Sequence, residues 1–427
     1  MKQKFEIIIH RLGIHGEGIG YENGCAIFVD GALPTETVEV ELYEKRKKFG
    51  FAKALKYINL SSKRVTPPCS SFGTCGGCQL MHLEYSEQLL AKRQRVIDAL
   101  HRIGKLQNIE VLPCYPSPTQ LHYRNKIQLI VKNRKLGFYA RNTHDFIEVS
   151  KCFIHCPLGE SVFQKLQHLL LHLDIGSELK SVSIRTAVHL KQVLVTLITD
   201  AKKHSWMNSL ADALMSSIPE IKGVMQQFEL RKDCYHFRTI KGADLIEEKL
   251  MGLSFKISSA SFFQVNPLAV EILYQKVVDF LDLKGNEVIL DAYCGVGTLS
   301  LILAKGAKKV IGIEVIPQAI ENARENALYN QISNVEFRCE RAEEWISHLK
   351  HFDIAVMNPS RQGCQLAFLE GLIVLKPLKI VYISCDPATL ARDLHILCLH
   401  GYSIDTIQPI DMFPQTAHVE TIVTLNL

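Results

Sequence analysis

No apolar run in this chain of 427 residues approaches the ~18 residues a helix needs to cross a bilayer. The opening "MKQKFEIIIHRLG" has only three consecutive apolar residues before His10, too few for the core of a signal peptide. Internal repeats and low-complexity tracts are also missing, and charged residues are an ordinary 22%. The expectation is a cytoplasmic, monomeric chain with no membrane partner, long enough for two or three domains of ~100–200 residues. A disulfide framework is excluded on similar grounds. The 13 cysteines are odd in number and unevenly spaced, and a reducing compartment does not keep such a framework. Clustered cysteines then point to metal or catalysis, and isolated ones to core packing.

Acidic residues are missing from one stretch. Residues 45–64, "KRKKFGFAKALKYINLSSKR", hold eight Lys or Arg and no Asp or Glu, with Phe49, Phe51 and Tyr57 interleaved. Cations suit a phosphate backbone and rings suit stacked bases, so the stripe is an RNA-binding candidate. The competing reading is a solvated charged face. The same region is rich in short strand-like runs ("FEIIIHRL", "CAIFVDG", "ETVEVELYEK", "FAKALKYI") broken by "GIHGEGIG" and "DGALP". About five strands in residues 1–61 suggest a small oligonucleotide-binding barrel. Residues 62–255 read as mixed α/β, opening with "PPCSSFGTCGGCQLMHL" and the helical "EYSEQLLAKRQRVIDALHRIG". From 256 to 427, helices alternate with buried-type strands, the pattern of a doubly wound parallel sheet.

Three features of that last segment carry chemistry. "ILDAYCGVGTLSL" ends a strand at Asp291, turns through Gly295 and Gly297 and starts a helix. Glycines let a ligand approach the backbone. The next strand, "VIGIEV", ends on Glu314, where an acid can accept from two ribose hydroxyls. In "YISCDPATLARDL", Cys385 closes another apolar run just before a helix, whose N-terminal dipole is expected to lower the thiol pKa. In "FPQTAHVETIVTL", Glu420 precedes a final strand. Alone, such a cysteine is more often packing, and such a glutamate is usually solvated.

Together they match a reaction. Uracil C5 is a weak carbon nucleophile until something adds to C6, and a thiolate is both a good nucleophile and a workable leaving group. A base must afterwards remove the C5 proton. "FFQVNP", "DAYCGVGTLSL", "NPSRQGC", "YISCDPATLARDL" and "FPQTAHVETIVTL" occur in this order, and all five resemble the RNA uracil-5-methyltransferase family. The D-x-x-C-G-x-G form with its later acid resembles motif I of class I S-adenosylmethionine-dependent methyltransferases. "GIHGEGIGYENGCAIFVDGALPTETVEVEL" is similar to the RNA-binding TRAM domain. The resemblance implies a C-terminal Rossmann-like α/β methyltransferase domain, an N-terminal OB-like β-barrel and a central α/β domain. It makes Cys385 the nucleophile and Glu420 the base. It places Gln264, Tyr293, Thr298, Glu314 and Asn358 at the positions that contact S-adenosylmethionine. One departure stands out: the family's usual Asp-Pro is here Asn358-Pro359. An amide keeps an acceptor oxygen, loses the charge and gains donors.

"CSSFGTCGGC" sets Cys69, Cys75 and Cys78 at C-x5-C-x2-C, and "SKCFIHCPLG" adds Cys152 and Cys156. Three thiolates suit zinc or an iron–sulfur cluster, and both usually want a fourth ligand. No second C-x2-C is present to complete a zinc ribbon. His82 and His155 lack paired metal spacing and read as surface or core histidines, and Cys294 has no catalytic role assigned. The ribosomal-RNA branch of the family carries a [4Fe–4S] cluster on such a motif, and the resemblance makes Cys152 the fourth ligand. It thereby implies 23S ribosomal RNA as substrate, since transfer-RNA members typically lack both the barrel and the cluster. Two alternatives remain. Asn358-Pro359 is similar to the motif of amino-group methyltransferases, although Ser360 and Arg361 depart from it and leave Cys385 and Glu420 without a task. A decayed enzyme kept as an iron–sulfur RNA-binding protein is the other.

Overall fold

The computed structural model describes residues 3–232 and 234–427. Strands β1 (Lys4–Leu12), β2 (Gly18–Glu22), β3 (Cys25–Val29), β4 (Thr37–Lys45) and β5 (Phe49–Asn59) form a closed barrel in the order β1-β2-β3-β5-β4. Period-two alternation fixes which side chains fill it. Ile7, Ile9, Val38 and Val40 point inward, while Glu6 and Ile8 face out. The basic stripe divides in two. Phe49 and Phe51 join Phe28 and Tyr43 in a cluster of rings with centroids 5.4–6.4 Å apart. Tyr57 and Arg64 instead have structural partners. The Tyr57 hydroxyl donates to the Gly31 carbonyl, and Arg64 forms a two-bond fork with the buried Glu36 carboxylate at 2.6 and 2.8 Å.

The middle of the chain forms a seven-stranded sheet from β6 (Lys126–Lys132), β7 (Lys135–Tyr139), β8 (Phe146–Glu148), β9 (Ser181–Ala187), β10 (Gln192–Ile198), β11 (Ile221–Arg231) and β12 (Cys234–Gly242). Its order is β12-β11-β10-β9-β6-β7-β8. Helices Pro157–His172 and Ser205–Ser217 supply Phe163, Leu166, Leu210 and Leu214 to its core. A hairpin, β13 (Leu245–Leu250) and β14 (Leu253–Ser258), leads to the last sheet.

That sheet comprises β15 (Val288–Ala292), β16 (Lys309–Glu314), β17 (Val335–Cys339), β18 (Ile354–Met357), β19 (Lys379–Ser384), β20 (Ser403–Ile410) and β21 (Glu420–Asn426), in the order β17-β16-β15-β18-β19-β21-β20. β15 to β19 are parallel neighbours, as the alternation of elements predicts. β21 departs from that pattern and pairs antiparallel with both β19 and β20. The cause is local: β20 and β21 are joined by residues 411–419 with no crossover helix, and such a return runs antiparallel.

The helix Tyr85–Arg102 packs on this last sheet. Its Val96, Ala99 and Leu100 share a core with Tyr382, Leu390 and Ile407. The buried face opens with two polar residues, Gln88 and Lys92, each with a dedicated partner. The Lys92 ammonium meets the Asp411 carboxylate at 2.5 Å, with side chains 1% and 0% exposed, and also donates to the Phe413 carbonyl. The Gln88 amide donates to the Gln415 side chain. Both pairs tie the helix to the loop that leads into β21.

Candidate active site

Short strands place the loops of the last sheet at one end, where the strands' carboxyl termini open into a cavity of ≈ 1280 Å³. At the end of β15, Tyr293, Gly295 and Gly297 all have positive φ, at 66°, 57° and 77°. A tyrosine held there is costly and marks a constrained loop. A Cβ on Gly297 would strike the Phe337 ring at 2.7 Å, whereas one on Gly295 would meet nothing within 4 Å, because it faces the cavity. Glu314, ending β16, accepts from the backbone N–H groups of Gly295, Val315 and Ile316. Gln264, Thr298 and Asn358 line the same cavity. Buried Asp291, linked to the Ser300 hydroxyl, is pushed up to about 7, first by burial and partly by Glu314. The open glycine, the ribose-type acid and the Tyr293 hydroxyl, which is buried without a partner, form a cradle that fits S-adenosylmethionine.

The structure brings Cys385 and Glu420 to that cavity as well. Cys385 follows β19 and Glu420 begins β21, and these two strands are paired (Ser384 opposite Thr421). The Asp386 carboxylate caps the next helix, Pro387–Leu399, by accepting from Ala388 and Thr389 N–H groups at 2.8 and 3.1 Å. Glu420, read as the base, is 4% exposed, and burial raises its carboxyl to about 8. One expectation is corrected. The Cys385 thiol is not lowered but raised to about 11, by burial first and then by the Glu420 charge, with Arg361 opposing. Desolvation and a like-signed neighbour outweigh the helix end.

Three side chains at this site escaped the sequence reading. Arg361, in the loop after β18, acts electrostatically on Cys385, Glu420 and His418. Among the described residues its guanidinium forms no ion pair. Arg95, from the helix Tyr85–Arg102, donates to the Ala417 carbonyl at 2.6 Å and senses the Cys385 and Asp386 charges. His418 is depressed to about 4 by burial first, then by Arg361, Arg95, Lys92 and His15. Arg361 was visible in "NPSRQGC", but nothing in the chain's linear order brings Arg95 or His15 to it.

Cys69, Cys75, Cys78 and Cys152 also line this cavity. Cys69, Cys78 and Cys152 pack with Phe72, Met81, Leu121, Tyr123 and Ile154. Burial, then the thiols of Cys152, Cys75 and Cys69, push Cys78 up, while Arg124 opposes. Cys156 stands apart: it is buried and immediately precedes the helix Pro157–His172. His82 and His155 are both buried. Among the described residues, no three His, Cys, Asp or Glu side chains are gathered so as to hold a metal ion. Three of the thiols thus share an apolar shell, with Cys75 beside Cys78, without closing on a single ion.

The loop bearing them is joined to everything around it. The Gly76 N–H donates to the Tyr139 carbonyl, the Gln79 and Leu80 N–H groups both donate to the Gln415 carbonyl, and the Ala417 N–H donates to the Gln79 side chain.

The profile of the family described as tRNA (Uracil-5-)-methyltransferase matches residues 84–427, and that of the TRAM domain matches residues 2–55. An uncharacterized RNA methyltransferase of Listeria innocua is 38% identical, covering 100% of this chain and 98% of its own. One from Clostridium tetani is also 38% identical, over 99% and 96%. Among solved structures, the Pyrococcus abyssi tRNA (uracil-54, C5)-methyltransferase in complex with S-adenosyl-L-homocysteine has a TM-score of 0.81 and 28% identity, covering 99% of this chain and 100% of that one.

Proposed function

We propose, from the premise that the chain belongs to the tRNA (uracil-5-)-methyltransferase family, that it methylates uracil C5 in RNA through a covalent Cys385 adduct. The observation that carries this reading is the joint placement of Cys385, Glu420, Glu314 and the Gly295 loop around one cavity. S-adenosylmethionine, held by Gln264, Tyr293, Thr298, Glu314 and Asn358, supplies the methyl group and leaves as S-adenosylhomocysteine. The Cys385 sulfur adds to C6, and the electron pair of the C5–C6 double bond moves onto C5 and the C4 carbonyl oxygen. Arg361 favours the thiolate that must form first. C5 would then bond the methyl group given up by the cofactor sulfonium; Glu420, once ionised, takes the C5 proton, and the enolate re-forms and expels the sulfur as the thiolate. A buried carboxyl near 8 is poised for such a transfer at mildly alkaline pH.

Residues 1–61 serve as an RNA-gripping barrel, 62–255 as the cysteine-bearing domain and 256–427 as the catalytic domain. The target uridine must leave its stack to reach Cys385. An all-thiol set of Cys69, Cys75, Cys78 and Cys152 suits a [4Fe–4S] cluster, a group larger than one ion. Methyl transfer moves no net electrons, so such a cluster has a structural role. We take 23S ribosomal RNA as the first substrate to test and transfer RNA as its competitor. A transfer-RNA enzyme spans the entire chain, which removes overall architecture as an argument between them.

The test uses RNA containing 5-fluorouridine, from both classes, with S-adenosylmethionine and a denaturing gel. Fluorine cannot leave as a proton, so a covalent protein–RNA band is expected, absent in Cys385→Ala. A wild-type protein that binds the cofactor yet forms no band sinks the reading and favours amino-group methylation, for which Asn358 is the pointer.

A further inference from the structure

A second cleft, of ≈ 410 Å³, opens off the catalytic cavity and shares Gly77, Phe138 and His418 with it. Its other walls come from separate parts of the chain: His15 from the barrel, and Tyr139 and Arg141 from the turn between β7 and β8. We infer that this cleft is a subsite for a second unpaired nucleotide, the immediate neighbour of the target uridine in the RNA chain. The inference rests on the reading above.

Four observations support it. The cleft is large enough for a nucleobase and its ribose, and it meets the catalytic cavity at Gly77, Phe138 and His418, the last of them two residues from Glu420. A nucleotide entering Cys385 would therefore leave its neighbour at the mouth of the cleft. The junction is cationic, with Arg361, Arg95, Lys92 and His15 all acting on His418. Lys92 is matched by Asp411, but Arg361 has no ion pair among the described residues, which suits a linking phosphate. Tyr139 offers a ring 42% exposed, held edge-on by His144 at 5.2 Å, a stacking surface of the kind single-stranded RNA uses. Beyond the cleft, Arg141 bonds to Asp30 and to the His15 carbonyl, and Tyr43 of the barrel's ring cluster senses both Asp30 and Arg141. The path from Cys385 thus continues through the cleft to the Phe28, Phe49, Phe51 and Tyr43 rings.

Arg141 itself is the hinge of the cleft rather than its ligand. Its guanidinium is already committed to Asp30, and Glu17 lies 3.7 Å away.

The experiment traps full-length protein on 5-fluorouridine-containing ribosomal or transfer RNA, digests the complex with a single-strand ribonuclease, and weighs the RNA left on the protein. Wild type should protect the trapped nucleotide and at least one neighbour. Tyr139→Ala should lose the neighbour and slow adduct formation about tenfold, the effect of one stacked base. Tyr139→Phe should behave as wild type, and cofactor affinity should not change in either variant. Asp30→Ala serves as control. If it reproduces Tyr139→Ala, loosening of the barrel explains the effect and the subsite is refuted. A wild-type footprint and rate in Tyr139→Ala refutes the subsite alone. No adduct in any protein refutes the proposed function, and the subsite with it.

Discussion

One cavity is lined by two sets of thiols in different surroundings. Cys385 is a single sulfur among charges: Arg361, Glu420, Asp386 and Arg95 all act on it or sense it. Cys69, Cys78 and Cys152 share an apolar shell with Cys75 beside them, and the charges acting there are Arg124 on Cys78 and Glu160 on Cys152. A lone thiol beside an arginine and a carboxylate can be ionised, attack and be expelled. Thiols packed side by side ionise together only when something positive is shared among them. The surroundings of a cysteine, more than its exposure, therefore separate reactant from ligand.

The largest test of that contrast is Cys385→Ala. It should cut methyl transfer on the order of 10⁴-fold or more while leaving any group bound by the cysteine loop intact, as read by turnover and by iron content. Next, for the proposed cluster, Cys152→Ser should strip iron and visible absorbance, whereas Cys156→Ser, buried at the start of the helix Pro157–His172, should keep both. Equal loss in the two variants would erase the assignment. Third comes the tie between the helix Tyr85–Arg102 and the loop that leads into β21. Lys92→Met leaves Asp411 buried without its partner and should cost about 3–5 kcal/mol, seen as a fall in Tm.

The smallest effect concerns pH. Glu420 is raised from 4.5 to about 8, so the folded chain holds that proton more tightly than the unfolded one. Its contribution to stability is complete below pH 4.5 and is lost as pH rises through about 8. The Tm of Glu420→Gln should gain on wild type by a few degrees between pH 5 and pH 9 (roughly 2–4 °C per kcal/mol). Turnover by wild type should rise over the upper part of that range as the base ionises. A difference in Tm that ignores pH would mean that the carboxylate is already charged in the folded chain.

Much of this was legible because it is local. Short strand-like runs placed a barrel in residues 1–61, and strand–loop–helix punctuation located Gly295, Glu314 and Cys385 at strand ends. What stayed hidden depends on distant neighbours. Lys92 occupies a core position of an amphipathic helix, and only Asp411, far along the chain, makes a lysine tolerable there. The direction of β21, the burial of Glu420 and the raised Cys385 thiol all follow from residues 411–419 folding back as a hairpin, which no short motif announces. Tyr57 and Arg64 looked like RNA contacts because cations beside rings fit that purpose. Glu36, itself buried, shows that the same pairing can hold a barrel closed.

The backbone bonds from Gln79 and Leu80 to Gln415 also have a consequence in time. The cysteine loop is synthesised early, and the hairpin carrying the base comes last, docking onto a surface the loop must already present. A shift of the cysteine loop is therefore carried directly into the backbone five residues before Glu420, so disorder at the thiols should be felt at the buried carboxyl as well.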